Sequence, residues 1–317
     1  MRILDHDELP SGSEEQVHLL DMSAGWGALG FSRIAEARKM GYFSADYFGI
    51  YAVEGGQILS AVRVVRLPFT TPSGVERIAG IQGVVTRLDH GLVGLARQLL
   101  EEVHRREKSA GTRLSLLWTG RGMVAHELYE KLGYVDVYTP ELAVKTILGK
   151  PNPTRGYKLR KAVRADFAQI GRIHAKATKG KLGFTPRPTG DIEFAIRFGF
   201  ASLGSLKIIT RSDEAIGYAQ VQKLAGWPRV EELVLLPKSE PEKILPLFEA
   251  EAAGGWFALR NTSVREHLAL LKTRGYAVSN LAYYSLLAKP LDGERNDMTR
   301  ELGTASRQFT CQAFDYF

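Results

Sequence analysis

One cysteine, Cys311, and seven histidines are all that 317 residues offer in thiol and imidazole chemistry. A single thiol excludes an internal disulfide and any thiolate cluster for zinc. His6, His18, His90, His104, His126, His174 and His267 show no H-E-x-x-H or comparable spacing, so no metal is expected. No run of 18 apolar residues occurs, which excludes a membrane-crossing helix on sequence grounds. The opening MRILDHDELPSGSEEQ is acidic and lacks an apolar core, so no signal peptide is expected and the protein is read as cytoplasmic. Acids are in deficit: 42 Lys and Arg against 35 Asp and Glu leave a net charge of +7. The surplus is scattered, apart from RREK at 105–108 and YKLRKAVR at 157–164, so nucleic acid is not the expected partner.

What is present is the composition of a folded protein, 44% hydrophobic and 24% charged. The length suits two domains, and PNPTRG at 151–156 is the natural linker, giving domains 1–150 and 151–317. In the first, residues 25–48 read as one or two helices. Strands follow at 47–54, 58–69 and 75–87, with turns at Gly55-Gly56 and Thr71–Gly74. Leu92, Leu95, Ala96, Leu99, Leu100 and Val103 then recur at helical spacing. RLSLLWTG is a strand, HELYEKLG a helix ending in glycine, and YVDVYTPELAVK a final strand pair. The second half repeats this order, with a hairpin turning near Ser212-Asp213, a helix with Pro241 in its first turn, and a last helix ending at Gly275. An offset of 142 residues registers Gly275-Tyr276 on Gly133-Tyr134, the mark of a duplication. The expected class is α/β (α+β): two tandem units, each a mixed, mostly antiparallel sheet flanked by helices.

HGLVGLARQLLEE at 90–102 places Gly91, Gly94 and Ala96 where a strand passes into a helix. Small residues there expose backbone N–H groups, and the helix N-terminus adds partial positive charge, which together suit a pyrophosphate. Close packing of helix on sheet asks for the same residues.

LDHGLVGLARQLLEE, followed some thirty residues on by ELYEKLGYVDV, resembles motifs A and B of the GNAT superfamily of acyl-CoA N-acyltransferases. The family's loop reads Arg/Gln-x-x-Gly-x-Gly/Ala; Gly94 and Ala96 match it, and Gly91 stands where Arg or Gln is expected. The resemblance implies acetyl-CoA as cofactor, with the amides of Gly91, Leu92, Val93, Gly94, Leu95, Ala96 and Arg97 at the phosphates and Val84 and Val85 lining the pantetheine. It implies that Tyr129 protonates the leaving thiolate, a role open to a phenol of pKa near 10 once it is positioned; the competing reading is an apolar-face residue. Tyr134 is read as core. No base is marked by spacing: Glu76 at the start of the third strand is the leading candidate, with Asp89 and His90 beside the loop.

The second half has Leu271 where the first has Tyr129, and PKSEPEKIL in place of the glycine loop, so it is expected to be a catalytically silent copy. The tandem order is similar to that of the enhanced intracellular survival acetyltransferases, without room for their sterol-carrier-like domain. In that family the terminal carboxylate acts as a base, which makes Phe317 a further catalytic candidate; the alternative is a tail packed through Phe309, Phe314 and Phe317. The function so implied is transfer of an acetyl group to a primary amine on a small molecule or protein. A Fem-type aminoacyl transferase, or a non-catalytic module binding RNA or a protein, are the alternatives. Asp46, Glu54 or Asp136 would suit a cationic amine, and tandem GNAT proteins often self-associate, which leaves a homo-oligomer open.

Overall fold

The structure is a computed structural model and describes residues 1–25, 30–40, 49–187, 190–199, 201–260, 262–280, 284–293, 297–306 and 308–310. Its first half runs β1 (Arg2–Asp5), α1 (Glu14–Ser23), α2 (Phe31–Lys39), β2 (Gly49–Glu54), β3 (Gln57–Thr71), β4 (Gly74–Thr86), α3 (Leu95–Ser109), β5 (Leu114–Gly120), α4 (Val124–Lys131), β6 (Val135–Tyr138) and β7 (Glu141–Ile147). The second runs β8 (Tyr157–Lys161), α5 (Phe167–Ala177), α6 (Asp191–Arg197), β9 (Leu206–Arg211), β10 (Glu214–Leu224), β11 (Trp227–Leu235), α7 (Pro241–Glu251), β12 (Gly255–Arg260), α8 (Thr262–Glu266), α9 (Leu268–Thr273), β13 (Ala277–Asn280), β14 (Tyr284–Pro290) and α10 (Met298–Leu302).

Local chemistry explains most boundaries. The hairpin between β9 and β10 turns on Ser212 and Asp213, both at positive φ, a conformation that short polar residues tolerate. α7 opens on Pro241, whose missing N–H would be unpaired there in any case. α4 and α9 both stop at a left-handed glycine, Gly133 and Gly275. At each stop the following tyrosine amide reaches back five residues, Tyr134 to Tyr129 and Tyr276 to Leu271, so the 142-residue register holds bond for bond. The basic run at 157–164 folds as β8 and its flank, with Lys158 paired to Asp213 and Arg160 to Asp166.

Two seven-stranded sheets result, in the orders β1-β2-β3-β4-β5-β14-β6 and β8-β9-β10-β11-β12-β7-β13. Five consecutive strands are followed in each by one strand from the other half of the chain. β14 lies antiparallel to β5 from Tyr284 opposite Gly120 to Pro290 opposite Leu114. β7 lies antiparallel to β12 in the same way. The expected pairing of YVDVYTPELAVK within one unit is therefore replaced: β6 stays in the first sheet and β7 crosses to the second. A division at residue 150 cuts both sheets, since 141–147 and 284–290 are exchanged. Length drives this, because only two residues separate β6 from β7, too few for β7 to recross its own sheet and lie beside β5. The acidic leader also contains β1, which the reading of its charge passed over.

The site-bearing core lies between the first sheet and α3 and α4. Leu99, Leu100 and Val103 of α3 are fully buried against Ile50, Val62, Val64 and Ala79. Each such side chain contributes roughly 1.5–3 kcal/mol. The other face of that sheet is covered by α10 and Phe309. α2 meets α6 through Ile34, Phe194 and Phe198, joining the halves again.

Because β5 and β6 meet only through β14, residues 1–150 expressed alone are expected to lack a cooperative unfolding transition. Co-expression with residues 151–317 is expected to restore one, as read by circular dichroism melting of the co-purified pair.

Candidate active site

β4 and β5 are parallel neighbours only where Ile78–Gly80 face Leu114–Leu116. Beyond that β4 runs on to Thr86 held by β3 alone, and β5 to Gly120 held by β14 alone, so a wedge opens between them. A bulge sharpens the divergence. Register passes from Arg63 opposite Gln82 to Ala61 opposite Val85, so Gly83 and Val84 together face the single residue Val62. Gly83 has φ +54, and a Cβ there would lie 2.4 Å from Arg63 Nη1. Arg63 is itself buried, 2.7 Å from Asp21 of α1, with its guanidinium over the Tyr51 ring. Of the two predicted wall residues, Val84 packs toward α3 and Val85 is buried on the α1 side.

The wedge ends in the loop 87–94. A short turn is closed by the His90 amide on the Arg87 carbonyl at 3.0 Å and the Gly91 amide on that of Leu88 at 3.2 Å. From Leu92 to Arg97 no amide has a hydrogen-bond acceptor among the described residues. Leu92 at φ 62 and Gly94 at φ 87 are both left-handed, and α3 begins only after Gly94. The helix expected to start near Gly91 is thus held off by four residues, because a left-handed residue cannot lie inside it. Leu92 is a bulky side chain in a region that usually belongs to glycine, and its side chain is 95% exposed. Gly91 has φ −66, open to any residue, so its smallness is not a backbone requirement. Arg97 pairs with Glu101 at 2.8 Å and Arg87 with Asp89 at 2.6 Å. Hydrogen bonds from Arg87 and then His90 hold the Asp89 carboxyl far below the usual range, so Asp89 is a committed anion on the surface.

Tyr129 projects from α4 into the core formed with Leu99, Val103 and Leu117, its ring edge-on to Tyr134 with centroids 5.8 Å apart. The residue is buried, and its hydroxyl has no hydrogen-bond partner among the described residues. Burial pushes this phenol well above its ordinary pKa, so it carries its proton at neutral pH. The ring thus packs as the apolar-face reading expects, with a protonated hydroxyl that no described group binds. Tyr134 is core, its hydroxyl between His104 Nε2 at 2.9 Å and Ser115 Oγ at 2.6 Å.

Residues 25–136 match the family model described as an acetyltransferase (GNAT) domain. The first half of the chain carries a GNAT domain. The fold of the whole chain is similar to that of a GCN5-related N-acetyltransferase from Kribbella flavida, at 18% identity and TM-score 0.64, covering 92% of this chain and 72% of that one. It is likewise similar to Eis1 from Mycobacterium abscessus, at 14% identity and TM-score 0.60, covering 92% and 74%. A tandem GNAT protein from the clavulanic acid biosynthesis pathway is similar at 11% identity and TM-score 0.54, covering 93% and 99%. No curated protein matches the chain in sequence.

The GNAT domain does not gather every residue expected of it. Glu76 accepts from Thr71 Oγ1 at 2.9 Å and from Arg113 at 3.1 Å, at the opposite end of β4 from the loop. Six residues of strand place it about 20 Å from Gln82, too far for proton transfer at the bulge. Phe317 and Asp46 lie outside the described residues, while Phe309 packs against Tyr138 as the tail reading expects. Glu54 pairs with the Met1 amino group at 3.0 Å. Asp136 is occupied by His126, Ser285 and Arg121. Together with Glu130 it gives His126 two carboxylate neighbours, three ligand atoms within 4.8 Å of one another. That grouping was not read from the sequence, although His126 and Glu130 stand four apart on one helix; Arg121, 3.5 Å from Asp136, competes with any cation there. In the second sheet the corresponding wedge is filled. α8 packs against β7, β11 and β12, and the Leu233 amide donates to Ser263 Oγ at 3.1 Å.

Tyr129 and Tyr134 are expected to respond differently to loss of the hydroxyl. Tyr129→Phe should change stability by no more than about 0.5 kcal/mol, whereas Tyr134→Phe strands two buried partners and should cost about 1–3 kcal/mol in denaturant unfolding.

Proposed function

We propose that the first domain is an acetyl-CoA-dependent N-acetyltransferase acting on a primary amine, and that the second shapes the acceptor side without catalysing. One observation carries this reading: α3 opens on six unpartnered amides, Leu92 to Arg97, and the same helix packs through Leu99 and Val103 against Tyr129, a phenol whose hydroxyl has no partner among the described residues. The amides and the N-terminus of α3 fit a pyrophosphate, and the unpaired edges of Ile81–Thr86 and Leu117–Gly120 fit an amide-bearing arm. Arg97 and Arg87 supply the nearest side-chain cations. With Gly91 in place of Arg or Gln, the loop holds its anion by backbone donors rather than a side chain at that position.

Bound acetyl-CoA would supply an acyl group on a thioester, open to attack by an uncharged amine with departure of a thiolate. The chain's part is to hold the carbonyl against fixed strand amides and to give the departing sulfur a proton. Tyr129 meets the second need. Its raised pKa keeps the proton in place until an anion forms beside it, and burial that disfavours tyrosinate disfavours a bare thiolate as well. The proton that the amine nitrogen sheds on becoming an amide would restore the Tyr129 hydroxyl, and Leu99, Val103 and Leu117 exclude water behind the ring. The second half offers none of this, since Leu271 replaces the phenol and Ser263 occupies the strand edge.

Calorimetric titration of acetyl-CoA into the purified protein should give one site per chain, abolished by Gly94→Glu, which puts an anion at the left-handed N-cap. Tyr129→Phe should bind normally and lower kcat by roughly 10²-fold or more with an accepted amine. Absence of heat at high ligand concentration would sink the transferase reading in favour of a non-catalytic module. Gly91→Gln, at a position of φ −66 where the new Cβ lies 3.3 Å from the Leu88 carbonyl oxygen, should tighten binding once that turn relaxes slightly.

A further inference from the structure

Below the wedge runs a series of buried polar side chains that acyl transfer leaves unused. Lys289 on β14 places Nζ 3.1 Å from His104 Nδ1 on α3. His104 Nε2 is 2.9 Å from the Tyr134 hydroxyl, which is 2.6 Å from Ser115 Oγ on β5. Ser115 Oγ in turn lies 3.3 Å from the carbonyl oxygen of Ala79 on β4. His104, Tyr134 and Ser115 are buried, and Lys289 is half-buried.

Chemistry gives this series one direction. An ammonium has only donors, so His104 Nδ1 must accept, and the single proton of the neutral ring then sits on Nε2. Nε2–H donates to Tyr134, Tyr134 O–H donates to Ser115, and Ser115 O–H donates to the Ala79 carbonyl. Without the ammonium the order can reverse: Nδ1–H forms, Tyr134 donates to Nε2, Ser115 donates to Tyr134, and Ala79 loses its donor. Burial, and after it the charge of Lys289, holds the His104 imidazole down to about 3, so the ring stays neutral. Burial lowers the Lys289 pKa, and the field of Glu101, one helical turn before His104, opposes that loss and favours the ammonium.

The ends of the series matter more than its middle. Ala79 is the central residue of the three that tie β4 to β5, just ahead of the point where the wedge opens. α3 carries the amide loop, and the Tyr134 ring sets the edge against which Tyr129 packs. The one cation in the series comes from the strand that the second half lends to the first sheet.

We propose that Lys289 is a positioning residue for the acyl site: its ammonium sets the His104 tautomer, and thereby the direction of the hydrogen bonds that tie α3, β5 and the hinge of β4 together. Its purpose rests on the acyltransferase reading, while its chemistry does not.

In protein labelled with ¹⁵N-histidine, long-range ¹⁵N–¹H spectra at pH 7 should show His104 neutral and protonated on Nε2. Lys289→Met keeps the aliphatic stem and should shift the ring toward Nδ1–H; Lys289→Arg should retain Nε2–H. With acetyl-CoA and an accepted amine, Lys289→Met should lower kcat roughly ten- to a hundredfold with little change in the KM for acetyl-CoA, and Lys289→Arg should largely restore it. An Nδ1–H ring in the unsubstituted protein overturns the proposal without any variant, so a poorly folding Lys289→Met does not leave it undecided. An unchanged tautomer in Lys289→Met overturns it too, as does unchanged turnover beside a changed tautomer. Failure of the unsubstituted protein to bind acetyl-CoA would remove the acyltransferase reading and, with it, the positioning role, while the tautomer result would still report whether Lys289 sets the ring.

Discussion

Past Leu116, β5 has a strand neighbour on one side only, and that neighbour is β14. The other side is the open wedge. A strand without partners does not persist in water, so the wall that carries Leu117 to Gly120 exists because Tyr284 to Pro290 lie against it. β7 serves β12 in the same way in the second sheet. Each half completes the other, and the open edge that makes the wedge useful is tolerable because the exchanged strand secures its far side.

Ion pairs set between sheet and helix give this frame its rigidity. Arg66 of β3 meets the fully buried Glu107 of α3 through paired hydrogen bonds of 3.0 Å, with Thr112 adding a third donor. Glu249 stands 142 residues further on in α7, equally buried, with Arg274 at 2.6 Å and Tyr276 at 2.8 Å. The same glutamate has thus kept its place in both copies while its partners changed. Arg63 and Asp21 brace the bulge from the α1 side, and Arg187 with Glu232 fills the core of the second sheet. Taking one partner from such a pair leaves a buried charge, at about 3–5 kcal/mol.

Much of this was legible in residue order, because the signals were local. Periodicity placed β2 to β5, α3, α4 and the β9–β10 hairpin to within a few residues, and Gly133 and Gly275 revealed the duplication. What stayed hidden depends on contacts between distant segments. Nothing in ELAVKTI or YSLLAKP says which sheet will take them, since an apolar strand suits either. Lys289 and His104 are ordinary surface-type and core-type residues until β14 brings them together. The start of α3 was misplaced for a local reason, Leu92 being the kind of residue from which a left-handed φ is not expected. Tyr129 and Gly94 were singled out by resemblance; that the Tyr129 hydroxyl has no partner among the described residues while that of Tyr134 has two is visible only in three dimensions.

The exchange of strands also sets an order in time. The loop, the bulge and Tyr129 leave the ribosome about 150 residues before β14 does. Domains ordinarily fold as they emerge, N-terminal first. Here the first sheet must wait, with the free edge of β5 exposed, until β14 has been made. Long-range pairing of this kind slows folding and leaves an edge open to other chains meanwhile. A ribosome that stops before Tyr284 would release a chain with the 87–94 loop and Tyr129 but not the strand that secures β5 beside them.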